Sequence, residues 1–316
     1  MRDAFAAELT TLAAADHRVV LLTADMGNRL FDAFRENNPD RFINCGVAEA
    51  NMTGMAAGMA MCGLRPVTYT IAPFNTLRCL EQIKIDICYH NLPVVIVGAG
   101  AGLGYAGAGP THQALEDIAC LRVMPNISVI CPGDAVEVRL ALRAALGHDG
   151  PVYLRLGKKK EPVVHRDEPR FEIGRGLEVR AGSDACLLGT GNVLPLVLDT
   201  AVLLETKGVS ARVVSMPWVK PLDEDLLADT FGRFEIVVTV EEHSVVGGFG
   251  GAVAEWLADH PGQPGRLVRF GLADRFHDCL GSQAAARRTL GLTPDALAAR
   301  ILKLLRPRLR AAGGLP

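Results

Sequence analysis

Aromatic side chains are scarce in this chain, at 5% of its 316 residues, and net charge is nearly absent. Thirty-three basic residues against 35 acidic ones leave a formal charge of −2, which excludes the broad basic surface a nucleic-acid or polyanion partner needs. The eight cysteines form no CxxC pair, so neither a disulfide framework nor a zinc ribbon is expected. Most of them (Cys45, Cys62, Cys88, Cys131, Cys186) lie in apolar segments, as reduced core cysteines of a cytoplasmic protein would. No His, Cys, Asp and Glu set has defensible metal-ligand spacing, so no metal site is expected on this chain. Neither a GxSxG nucleophile elbow nor a P-loop is present. No basic region followed by an apolar run marks a secretory leader, and no membrane association is expected. The uncharged stretch 92–110 is long enough to span a bilayer, yet its β-branched opening and frequent glycines predict a buried strand running into a loop.

What is abundant is small and apolar. Hydrophobic residues make up 49% of the chain and glycine occurs 33 times, a composition suited to closely packed α/β layers. The pattern predicts strands at 19–26, 41–45, 66–72, 93–98, 126–131 and 152–156, with helices at 3–15, 30–37, 49–62, 74–90, 112–121 and 135–146 between them. Alternation of this kind specifies a mostly parallel sheet covered on both faces. Between 157 and 182 charge rises and elements shorten, which reads as a linker with a little edge strand. A second series follows, with strands at 185–188, 211–215, 236–240 and 267–270 and helices at 193–205, 223–231, 247–259 and 297–305. Two α/β domains, 1–156 and 183–316, are expected, with the tail from Arg306 frayed.

Several residues could carry chemistry, each against a plainer alternative. Glu49 opens a helix made almost wholly of Ala, Met and Gly, so it is either a reagent or an ordinary first-turn glutamate answering the helix dipole. Gly54 and Gly58 on that helix would let another backbone approach closely, as across a subunit seam. Phe74 and Arg78, four apart, share a face, or are a core aromatic and a surface cation. Gly102-x-Gly104-x-x-Gly107 satisfies the dinucleotide fingerprint, but the preceding strand ends early, Pro110 delays the next helix, and no acidic residue follows at the spacing of roughly 20. A flexible loop over a ligand, or a plain turn, accounts for these glycines better. His112 stands at a strand-to-helix crossover, where parallel sheets bind ligands. His243 has a weaker version of the same case. Arg155 and Lys158 to Lys160 would attract a phosphate, or form a solvated basic run.

Taken together, the motifs Asn44-Cys45-Gly46-Val47-Ala48-Glu49-Ala50-Asn51, Phe74-x-x-x-Arg78-x-x-Glu81-Gln82, Gly109-Pro110-Thr111-His112-Gln113-x-x-Glu116-Asp117, Arg122-x-x-Pro125-Asn126 and Pro132-x-Asp134-x-x-Glu137 resemble the pyrimidine-binding domain of transketolases and 1-deoxyxylulose-5-phosphate synthases. Gly189-Thr190-Gly191-Asn192, Pro217 to Asp223, and Glu241-Glu242-His243-x-x-x-Gly247-Gly248-x-Gly250 resemble the C-terminal domain of that family. The Gly-Asp-Gly…Asn signature that binds magnesium in such proteins is missing. The chain therefore looks like the beta subunit of a split transketolase. A separate alpha subunit would hold the magnesium and diphosphate of thiamine diphosphate in an alpha2beta2 heterotetramer acting on a sugar phosphate.

The resemblance implies residue roles. Glu49 would meet the cofactor's pyrimidine nitrogen and favour the tautomer that deprotonates the thiazolium C2, aided by a desolvated setting in which a carboxylic acid keeps its proton. Phe74 would pack on the pyrimidine, with Ile71 at a position often aromatic in relatives, Asp25 near the cofactor, and Arg78 a second phosphate or carboxylate contact. His112 would line the substrate channel and Lys158, with Arg155, would hold the substrate phosphate. Lys158 stands where relatives carry arginine, a point charge in place of a planar fork. Tyr105 and small residues replace acidic and histidine side chains that read donor hydroxyls in many transketolases, leaving room for an unusual ketose, a 2-oxo acid or another aldehyde acceptor. The implied reaction is transfer of a two-carbon ketol unit. The alternatives are a decarboxylating relative, either 1-deoxyxylulose-5-phosphate synthase-like or a 2-oxo acid dehydrogenase beta subunit, and a non-catalytic regulatory subunit.

Overall fold

The computed structural model describes residues 1–158, 161–278 and 281–311, with side chains described up to residue 305. Lys159, Lys160 and the arginines of the tail lie outside the described side chains. Six strands whose apolar runs leave little room for solvent form a parallel sheet: β1 (Val19–Thr23), β2 (Phe42–Asn44), β3 (Arg65–Ile71), β4 (Val95–Ala99), β5 (Ser128–Ile130) and β6 (Val152–Leu156). Every residue of β1, β4 and β6 is buried, as expected of strands with helices on both faces. Its helices are α1 (Arg2–Ala15), α2 (Asp32–Asn37), α3 (Glu49–Met61), α4 (Ala72–Asn75), α5 (Leu80–Gln82), α6 (Asp117–Arg122) and α7 (Ala135–Gly147). The second sheet holds β7 (Leu177–Arg180), β8 (Ala185–Gly189), β9 (Ala211–Ser215), β11 (Ile236–Ser244) and β12 (Arg266–Leu272), in the order β12-β11-β8-β9-β7. Around it pack α8 (Leu194–Glu205), α9 (Glu224–Arg233), α10 (Phe249–Asp259), α11 (Gln283–Thr289) and α12 (Pro294–Ala311). The expected class, two successive α/β layers, is the fold observed.

Three departures matter for the site. β10 (Trp218–Lys220), which follows β9, pairs antiparallel with β5 and so completes the first sheet rather than the second. Prolines at 217 and 221 bracket it, which an edge strand tolerates. Residues 74–90 are not one helix: α4 is followed by a 3-10 turn (Leu77–Cys79), by α5 and by a π-helical turn (Ile83–Cys88). Asn75 Nδ2 donates to Val97 O at 2.9 Å and Thr76 Oγ1 to Ala72 O at 2.7 Å, so short polar side chains take up backbone groups where a regular helix would run. Third, 112–116 is not helical: His112 ends a turn and its amide bonds Gly109 O, Ala114 pairs with Gly102 in an isolated antiparallel bridge, and the helix begins only at Asp117.

Among the described residues no helix is long and apolar enough to cross a membrane.

Candidate active site

Glu49 is the first residue of α3 and only 2% exposed. No side chain caps this helix, because Ala48 holds the cap position and has none to offer. The carboxylate instead meets Arg78, whose Nη1 donates to Oε2 at 2.7 Å. Among the described residues Oε1 accepts no hydrogen bond. Arg78 reaches this position because the helix breaks after α4; its guanidinium lies 4.2 Å from the centroid of the Phe74 ring. The His112 ring packs edge-on against Phe74 at 5.0 Å, and Tyr105 stands 6.2 Å from His112. Lys158 Nζ sits 4.1 Å over the Tyr105 ring. Glu49, Arg78, Phe74, His112, Tyr105 and Lys158 thus form one continuous line, from a buried carboxylate to a cation beside a cleft of about 540 Å³. That cleft is walled by the 104–108 loop and by Gly281 to Ala284.

Ile71 is buried at the end of β3, directly before α4. Asp25 belongs to a neighbouring group of polar residues beyond β1. Its backbone N–H donates to Asn44 Oδ1 at 3.0 Å, and Asn44 also receives Gly46 N at 3.0 Å. Asn44 therefore couples the end of β1 to the turn that delivers Glu49, a role that its place in the motif did not disclose. Asp25 also lines a cleft of about 310 Å³ with Asn28, Arg29 and Arg35.

Arg155 requires a correction. The expectation of a phosphate contact fails because its side chain is sealed inside the molecule and held through Nε and Nη2. Nε donates to Asp117 Oδ2 at 2.7 Å and Nη2 to Asp117 Oδ1 at 3.2 Å, to Ala114 O at 2.7 Å and to Glu242 O at 3.1 Å. Tyr153 completes the group by donating to Asp117 Oδ2 at 2.6 Å. Burial pushes the Asp117 carboxyl up, but the Arg155 guanidinium outweighs it and holds it below the usual carboxylate range. A charge within the otherwise apolar run VYLRL was the available signal, since a buried cation needs a partner.

His243 is likewise internal. Burial lowers its ring to about 4, while Nδ1 donates to Ser244 O at 2.8 Å and Nε2 accepts from Ala119 N. Beside it, burial raises the Glu241 carboxyl to about 7 even though it accepts the Phe249 and Gly250 amides at 2.7 and 2.8 Å.

A buried carboxylate at the start of a helix, joined through an arginine to an aromatic ring beyond a parallel strand, marks the chain as an α/β protein with a site at its strand ends. Comparison with known proteins makes the class specific. Residues 1–162 match the transketolase pyrimidine-binding domain and residues 174–297 the transketolase C-terminal domain. The chain belongs to the transketolase family, within the thiamine-diphosphate-dependent enzymes that include 1-deoxyxylulose-5-phosphate synthases. It is 36% identical over 264 residues to one subunit of the apulose-4-phosphate transketolase of Actinobacillus succinogenes, covering 84% of this chain and 85% of that one. It is 35% identical over 294 residues to a 6-deoxy-6-sulfo-D-fructose transketolase subunit of a Clostridium species, covering 93% and 90%. Against 1-deoxy-D-xylulose-5-phosphate synthase of Symbiobacterium thermophilum the identity is 39% over 96% of this chain, which spans 46% of that enzyme. Among solved structures, a split-gene transketolase described as an inactive beta4 tetramer superposes with a TM-score of 0.86 at 37% identity, covering 96% of this chain and 97% of that one.

The site fits the pyrimidine end of thiamine diphosphate. The Glu49 carboxylate is held in an apolar mouth with one oxygen open to a donor, and an aromatic face lies beside it. Among the described residues no cluster of three or more His, Cys, Asp or Glu side chains is arranged to hold a metal ion.

Proposed function

We propose that this chain is the beta component of a split, thiamine-diphosphate-dependent transketolase-like enzyme that transfers a two-carbon ketol unit between sugar phosphates or related substrates. The observation that carries the reading is the Glu49 carboxylate, 2% exposed at the mouth of α3 and in line with Phe74 and His112. Thiamine diphosphate supplies the electron sink when bound. Glu49 would hold the proton at a pyrimidine nitrogen, Phe74 and Ile71 would pack on or behind the ring, and Asp25 would border it. Arg78 pairs with Oε2, and Oε1 would be the oxygen that meets that nitrogen. His112 and Tyr105 would orient the substrate's hydroxyl and carbonyl oxygens, and Lys158 would attract its phosphate.

A partner alpha subunit would supply the diphosphate and magnesium contacts, in an alpha2beta2 assembly. Two facts support a partner: the split-gene relative is described as inactive in its beta4 form, and the outer face of α3 is bare and apolar. A Cβ placed on Gly54 or Gly58 would meet nothing within 4 Å, and Val47 and Met61 are 75% and 57% exposed. The identity to 1-deoxyxylulose-5-phosphate synthases supports a second, decarboxylating reading. Co-purification with the alpha chain, followed by titration with thiamine diphosphate and magnesium, tests the assignment. The pair is expected to bind the cofactor and the lone chain is not; tight binding by the lone chain overturns the split-subunit reading. Ketol transfer without carbon dioxide release separates the first reaction from the second.

A further inference from the structure

The loop that carries Tyr105 and His112 is anchored from the other sheet. Glu242, at the carboxyl end of β11, is wholly buried, and its Oε1 accepts the Leu103 amide at 2.6 Å and Gln283 Nε2 at 2.7 Å. Its Oε2 is paired with Arg287 of α11. Gly102 makes this approach possible. It has a φ of +59°, and a Cβ there would lie 2.4 Å from Glu242 Oε1. The loop's other end is tied to the same residue, since Arg155 Nη2 bonds both Ala114 O and Glu242 O. Between the two ends, Gly102 and Ala114 exchange backbone hydrogen bonds at 3.2 and 2.9 Å. Gln113 Nε2 reaches His277 O at 3.0 Å, and Ser244 N reaches Leu115 O at 3.0 Å. Residues 102–115 therefore leave and re-enter the molecule on the second sheet, while their outer span faces Phe74.

We propose that Glu242 is a positioning residue for the substrate: it fixes the 102–112 loop so that Tyr105 and His112 meet the sugar in one geometry. This rests on the reading that the loop faces the substrate, but not on the role given to Glu49. A buried carboxylate receiving two N–H groups and a guanidinium is a rigid junction, because losing it strands all three donors. Glu242 is wholly buried with both oxygens engaged, so it would act through the loop and not on the sugar itself. The second sheet would thus act on binding through the loop and leave proton removal at the cofactor unchanged.

The test is E242A and E242Q in the full chain, alone and assembled with the alpha subunit, read first by amide hydrogen exchange. Loss of the Leu103 acceptor in E242A is expected to speed exchange across 102–109 by about tenfold or more, with α3 and β3 unchanged. E242Q keeps an acceptor for that amide and is expected to restore protection. Where xylulose 5-phosphate or fructose 6-phosphate serves as donor, its KM should rise about tenfold in E242A and recover in E242Q, with exchange of the thiazolium C2 proton at the wild-type rate. A folded E242A with wild-type protection of 102–109 overturns the proposal, whether or not either sugar turns over. So does loosened 102–109 with an unchanged donor KM. Should E242A not fold, E242D takes its place, because its shorter carboxylate withdraws the acceptor from the Leu103 amide: faster exchange across 102–109 with a raised donor KM supports the proposal, and wild-type protection overturns it. Slow C2 exchange in the wild-type complex would count against the Glu49 reading and leave the amide result standing.

Discussion

Replacing Asp117 by Asn strands a charge in the interior, and its cost can be worked from the structure. The Asp117 and Arg155 side chains are each 1% exposed and are joined by two hydrogen bonds at 2.7 and 3.2 Å. The side chain of D117N keeps its shape and one acceptor oxygen but carries no charge to balance the guanidinium, whose other partners are the Ala114 and Glu242 carbonyls. Breaking one partner of a buried pair costs about 3–5 kcal/mol. At about 2–4 °C per kcal/mol for a unit of this size, the midpoint of D117N should fall by roughly 6–20 °C. Thermal and urea unfolding of the full chain at pH 7 measures this. The variant D117L/Y153F/R155M removes every member of the group and leaves no unpaired charge, so it should lie closer to wild type than D117N. Because the folded carboxyl titrates below its ordinary range, its stabilisation is present above about pH 4 and lost as pH falls through the folded value. The gap between wild type and D117N should therefore narrow only in acid. A D117N midpoint within about 1 kcal/mol of wild type would refute the reasoning, as the Arg155 charge would then need no partner.

Two further predictions concern titration and substrate charge. His243 is held at about 4 by burial against an ordinary 6.5, so keeping it neutral costs the folded state about 2 kcal/mol at pH 5 and almost nothing at pH 7.5. The Asn variant, H243N, should compare with wild type more favourably at pH 5 than at pH 7.5 by that amount; equal differences at both would show that the ring does not titrate on unfolding. Lys158→Met (K158M) should raise KM for a phosphorylated ketose about tenfold or more, leaving an unphosphorylated one nearly unchanged. Equal effects on both sugars would remove Lys158 from phosphate recognition.

Much of the architecture was legible because buried parallel strands are short unbroken apolar runs, and VVLLT, VIVGA and VYLRL read as such. β10 was not legible: three residues between prolines carry no period, and their partner β5 lies far upstream. The spacing of Leu77, Leu80, Ile83 and Ile87 suggested one helix, but the backbone leaves helical geometry at Thr76 (φ −126°, ψ −78°). That break brings Arg78 onto Glu49, a pairing no helical wheel places. α11 also escaped notice, a short run whose cap is Ser282 bonded to the Ala285 amide. The sequence brought Glu49, Phe74 and His112 forward as single residues, and the structure aligns them. It could not reveal that Arg155 points inward, nor that Glu242 reaches the glycine loop, since both facts depend on contacts between two sheets.

The central claim concerns one carboxylate, and proton exchange at the thiazolium C2 of thiamine diphosphate tests it most directly. The measurement is made in the assembled complex with magnesium, comparing wild type with E49Q by quenched-flow NMR. Glutamine preserves the shape of the α3 mouth but cannot hold and release a proton, so exchange should slow by about 10²–10⁴-fold while assembly persists. Exchange in E49Q as fast as in wild type would contradict the account.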